Sequence, residues 1–140
     1  MDRRSPTLAL ALALVVTLMT ACGGSATSSA PNTAALPGTS WTVTTIGGVP
    51  TVAATPPKMT FGNDGVVSGT TGCNSYNGSY KLDGGSITIG QLAMTLVLCQ
   101  GPVGVQETAF TAALQKASAW SIGSNGDLTL SGSADIVATP

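Results

Sequence analysis

Large apolar residues alternate with threonine along Trp41-Thr42-Val43-Thr44-Thr45-Ile46, the period-two pattern of a half-buried strand. Gly47-Gly48 ends it. Val49 to Pro57 carries three prolines and reads as loop. Lys58 to Phe61 restarts a strand, Gly62-Asn63-Asp64-Gly65 supplies turn chemistry, and Val66 to Thr70 returns as the second arm of a hairpin. Tyr76 to Leu82 and Ser86 to Ile89 form a second strand pair through Asp83-Gly84-Gly85. The apolar run Leu92 to Leu98 fits no single period. From Val105 to Ala119 the period changes: Phe110, Ala113, Leu114 and Ala117 fall on one helical face. Glu107 is expected in the first turn of that helix and Lys116 in its last, an order that suits the helix dipole. Trp120 to Ile122, a Gly123-Ser124-Asn125-Gly126 turn, Leu128 to Leu130 and Ile136-Val137 complete the pattern. One helix among many short strands predicts an α+β domain: a mainly antiparallel, curved, barrel-like β-sheet covered by one α-helix.

The N-terminal pattern is of another kind. Arg3 and Arg4 precede an uncharged apolar stretch from Thr7 to Ala21, about 15 residues where a spanning helix needs about 20. A positive start, a short apolar run and small residues at its end describe a secretory signal, here residues 1–21. Leu18-Met19-Thr20-Ala21-Cys22 resembles the lipobox of bacterial lipoprotein precursors, with Met19 where leucine is usual. The resemblance implies cleavage before Cys22, diacylglyceryl attachment to its sulfur and acylation of the new amino group. Residues 22–38 have no charge, two prolines and few large side chains, so they read as the lipidated N-terminus and a flexible linker. The domain proper is then expected over 39–138, held at the cell membrane on its extracytoplasmic side.

Composition narrows the chemistry. Charged residues are 8% of the 140, against roughly 25% in ordinary soluble chains. Beyond the leader, Lys58, Lys81 and Lys116 face Asp64, Asp83, Glu107, Asp127 and Asp135. Three scattered lysines form no basic face, so no nucleic-acid partner is expected. There is no histidine, which removes Ser-His-Asp and Cys-His catalysis and histidine-ligated zinc. The five acids form no local pair of the kind a glycosidase needs.

From Trp41 to Leu130 the chain resembles the META domain, or HslJ-like, family. The resemblance rests on Met59-Thr60-Phe61 with Asp64-Gly65, and on Ser68-Gly69-Thr70-Thr71-Gly72-Cys73-Asn74-Ser75-Tyr76-Asn77-Gly78-Ser79-Tyr80, which matches the signature G-x-x-G-C-N-x-Y-x-G-x-Y. Ile89-Gly90, Thr95, Cys99, Glu107, Phe110 and Leu114 follow in order. The resemblance implies antiparallel strands with one helix, an envelope association, and a link to stress tolerance or virulence without a defined biochemical activity.

With Cys22 acylated, Cys73 and Cys99 remain as an even pair in an oxidising compartment, where a disulfide is expected. Asn74 and Tyr76 have two readings, as ligand-lining residues or as residues that structure a loop; Asn and Gly suit turns and favour the second. No metal, no cofactor and no catalytic residue are expected. The function these readings converge on is a membrane-anchored envelope lipoprotein, a monomer and a non-catalytic binding or structural module that contacts envelope proteins and supports stress tolerance. The alternative is a protease inhibitor-like protein that presents Val49 to Pro57.

Overall fold

The computed structural model describes residues 36–140; the expected leader, Cys22 and most of the expected linker lie outside them. The strands, in chain order, are β1 (Thr39–Ile46), β2 (Val49–Pro50), β3 (Lys58–Phe61), β4 (Val66–Thr70), β5 (Ser75–Asp83), β6 (Ser86–Ile89), β7 (Ala93–Met94), β8 (Ala119–Ile122), β9 (Leu128–Ser131) and β10 (Ile136–Thr139), with one helix, α1 (Gly101–Gln115), between β7 and β8. Eight of the strands form an antiparallel barrel in the order β10-β9-β8-β6-β5-β4-β3-β1, closed by pairing of β10 with β1. Closure leaves the barrel wall without a free edge, which removes the usual site of strand-on-strand aggregation. The two-residue strands β2 and β7 are additions, on β1 and β5.

Alternation fills the interior. Met59 and Phe61 from β3, Val67 from β4, Tyr76 and Tyr80 from β5, and Leu128 and Leu130 from β9 point inward and are buried. The buried aromatics keep their polar ends paired. The Trp120 indole donates to the Gly84 carbonyl (3.1 Å) and the Tyr80 hydroxyl to the Gly62 carbonyl (2.7 Å), while Phe61 meets the Tyr80 ring edge-on at 5.1 Å. α1 packs against β1, β6 and β10 and sends Phe110, Ala113 and Leu114 into the core.

Four expectations are corrected. The helix lies four residues earlier than its apolar period suggests. Pro102 and Gly104 look like breakers, but proline is tolerated in a first turn, where its missing N–H costs no bond. At the other end, the period runs on through Ala117 after the helix has stopped, because Ala117 is buried by the turn into β8 rather than by the helix. Glu107 is therefore not a first-turn acid, and Lys116 caps the helix instead of lying in its last turn. The Val49–Pro57 segment is not all loop, since its first two residues pair with Ile46 and Thr45. The ordered domain begins before Thr39: Leu36 is fully buried, and the Gly38 N–H donates to the Phe61 carbonyl (2.6 Å). Leu92 to Leu98, which no period assigned, supplies only β7, followed by an extended stretch at the surface.

Candidate functional site

The signature residues gather at one end of the barrel, where β4 turns into β5. The turn is built locally. Gly72 has φ of +95°, and a side chain there would run into the Thr55 carbonyl and the Gln106 amide, so glycine is required on both counts. The Thr71 hydroxyl accepts the Asn74 N–H (2.9 Å). It donates to the Glu107 carboxylate on α1, across 36 positions of chain.

Asn74 is the centre of this end. It is 2% exposed. Its Nδ2 donates to the Val97 carbonyl (2.9 Å) and to both Glu107 oxygens (2.9 and 3.1 Å). Its Oδ1 accepts from the Thr95 hydroxyl and the Val97 N–H, each at 2.8 Å. An amide has two donors and two acceptor positions, and all are in use. Asn74 thus joins three segments: its own turn, the stretch from Thr95 to Cys99, and α1. The Cys73–Cys99 disulfide spans the same segments, with Cα atoms 6.3 Å apart.

Tyr76 follows on the inner face of β5. Its hydroxyl donates to the Lys58 carbonyl (3.0 Å), and its ring stands edge-on to Phe110 at 5.5 Å. Burial pushes its phenol well above the ordinary value of 10.0. Asn74 and Tyr76, the two residues with alternative readings, both spend their polar atoms inside the protein. Of the two, Asn74 structures a loop and Tyr76 is core.

Gln106 carries a role that the sequence reading missed. It is buried, accepts the Val52 N–H (2.6 Å), and donates to the carbonyls of Thr55 (2.8 Å) and Thr71 (3.1 Å). It ties the proline-rich segment to the helix. The signal was present: with Phe110, Ala113, Leu114 and Ala117 it shares the apolar stripe, and a polar amide there must find buried partners.

The polar side chains of this end bond chiefly to one another. Both Cys sulfurs and a Glu107 oxygen lie within 4.8 Å of one another, but sulfurs joined in a disulfide carry no thiolate to bind a metal or attack a substrate. Glu107 accepts from Thr71 and Asn74, and among the described residues no second carboxylate joins it in the cluster. The side chains of Lys58, Lys81 and Lys116 are exposed.

Comparison with known proteins agrees with the fold. The family model for the META domain matches residues 34–139. Heat shock protein HslJ of Escherichia coli K12 is 40% identical over 47 residues, which are 34% of this chain and 33% of that protein; the chain thus spans about a third of the length of this curated relative. The solution structure of a protein from Burkholderia xenovorans superimposes with a TM-score of 0.64 at 22% identity, covering 99% of this chain and 97% of that one. The crystal structure of a DUF4847 family protein from Bacteroides vulgatus gives 0.57 at 16% identity, over 76% and 94%. At these identities the two structures speak to the fold alone.

Proposed function

The chain belongs to the META domain family, and from that premise we propose that it is a non-catalytic envelope lipoprotein, acylated at Cys22 and acting through surface contacts beside the membrane. The observation that carries the non-catalytic part is the saturation of Asn74: this buried amide holds loops together and has no bond left for a substrate. The anchor rests on the lipobox-like Leu18-Met19-Thr20-Ala21-Cys22 after a short apolar leader. Two or more acyl chains give stable attachment where one does not. A role in envelope stress is supported by the partial likeness to a heat shock protein.

Intact mass of the protein from a membrane fraction tests the anchor. The expected mass is that of the chain from Cys22 plus a diacylglyceryl group and an amide-linked acyl chain, and Cys22→Ala is expected to lack all of it. A wild-type mass equal to bare polypeptide would refute lipidation.

A further inference from the structure

The same end of the barrel shows water a surface that a soluble domain ordinarily hides. Leu96 is 96% exposed, Val97 62% and Leu98 84%. Val105 on α1 and Val49 on β2 are also exposed, more so than any other large aliphatic among the described residues outside this stretch. Val49 and Val105 line one groove. This groove of about 440 Å³ runs between β2 and α1, lined by Val49, Pro50, Val52, Pro102, Val105 and Ala109. A second hollow shares Val105 and Ala109 and reaches Cys99, at the foot of the Leu96–Leu98 stretch. No charged residue occurs anywhere between Asp83 and Glu107.

The stretch is also held in place. Thr95 and Val97 are bonded to Asn74, and Cys99 is crosslinked to Cys73. A loop of three large aliphatics left loose would fold back onto the groove beside it. Fixed at both ends, it keeps them in water. An uncharged, outward-held run of three exposed aliphatics marks a contact site.

We propose that the Leu96–Leu98 tip, with Val105 and Val49 behind it, inserts into the surface of a phospholipid bilayer. The tip is exposed, aliphatic and uncharged, which suits a fluid hydrocarbon phase better than a shaped protein partner with polar groups to match. The reach of the chain is compatible with the same occupant. β1 enters the barrel at Thr39, paired with Phe61, and reaches the apolar end at Ile46, paired with Val49. Those ends are about 23 Å apart at strand rise. Leu36, the first described residue, lies 14 positions after Cys22, and 14 residues extend to about 48 Å. The chain from Cys22 to Leu36 is therefore long enough to span the full height of the barrel and let the far end face the membrane. This orientation rests on the anchor proposed above; the affinity of the tip for lipid does not.

A tryptophan placed by Leu98→Trp, or by Ser124→Trp as control, reports the contact. Ser124 is exposed in the β8–β9 turn, and the native Trp41 and Trp120 are buried. The probe is vesicles of phosphatidylethanolamine and phosphatidylglycerol with brominated acyl chains. We expect a roughly twofold loss of the added emission for Leu98→Trp and none for Ser124→Trp. Adding Leu96→Ser to Leu98→Trp should weaken the quenching. Both are measured in the full chain and in Cys22→Ala at vesicle excess, so that loss of the anchor and loss of tip insertion read out separately. If the acylated protein floats with vesicles while Leu98→Trp stays unquenched, the tip proposal is overturned and the anchor stands. If the protein is not acylated, quenching in Cys22→Ala at position 98 alone still supports the tip, and its absence overturns it. A complex with an envelope protease, or a dimer, that shields position 98 without lipid quenching would reassign the surface to a protein.

Discussion

Asn74 shows how one residue can tie distant segments of a domain together. Its four hydrogen-bonding positions link a turn, a surface loop and a helix. Asn74→Ala should lower unfolding free energy by about 2–4 kcal/mol, because it strands Val97 and Glu107 partners that are partly buried; urea denaturation would measure it, and a loss below about 0.5 kcal/mol would contradict the network. Thr55 is the opposite case. Its hydroxyl is buried and has no partner among the described residues, so Thr55→Val should raise stability by about 1 kcal/mol, or at least not lower it. Tyr76 sets a pH limit. Its phenol is raised in the folded state relative to 10.0 in the unfolded chain. The stability it contributes is therefore complete below pH 10.0 and lost as pH rises beyond it. Thermal melts should be level across neutral pH and fall at higher pH, and Tyr76→Phe should soften that alkaline fall. The turn role of Asn74 was legible in Gly72-Cys73-Asn74 because these residue types suit turns. Its partner Glu107 was not, since 33 positions separate them and the acid had a local explanation as a helix-start charge.

Strands were easier to read than the helix. From β3 to β6 the boundaries follow the alternation and the Asn-Asp-Gly and Asp-Gly-Gly turns to within one residue. The helix slipped by four residues because small residues blur its ends: alanines continue the apolar period past Gln115, and glycine and proline hide the start. The Leu92–Leu98 run had no single period to place it. In the structure Leu96, Val97 and Leu98 face solvent, held there by Asn74 and the Cys73–Cys99 bond. That crosslink spans 26 positions, which in the chain-entropy model is worth roughly 3–4 kcal/mol. The double change Cys73→Ser with Cys99→Ser should lower the urea midpoint accordingly, and oxidised and mutant proteins of equal stability would show that the bond contributes nothing to the folded domain.

At the scale of the whole molecule, the barrel and its single helix were readable from period and turn chemistry, but closure was not. Pairing of β1 with β10 joins positions almost a hundred residues apart, and no local pattern announces it. The chain also divides into two regions of different purpose. The barrel is a closed apolar core with satisfied aromatics. The end at Thr71, Asn74 and Glu107 is a polar scaffold whose product is an outward-facing apolar tip. That this cluster is scaffold rather than active site is the central claim. Native-state hydrogen exchange of the Val97 amide tests it directly, because that N–H is bonded to the Asn74 side chain and to no strand partner. In the wild type it should exchange slowly, and in Asn74→Ala faster by about a hundredfold or more while the amides of β3, β4 and β5 remain protected. A Val97 amide that already exchanges at the rate of a free loop in the wild type would contradict the account.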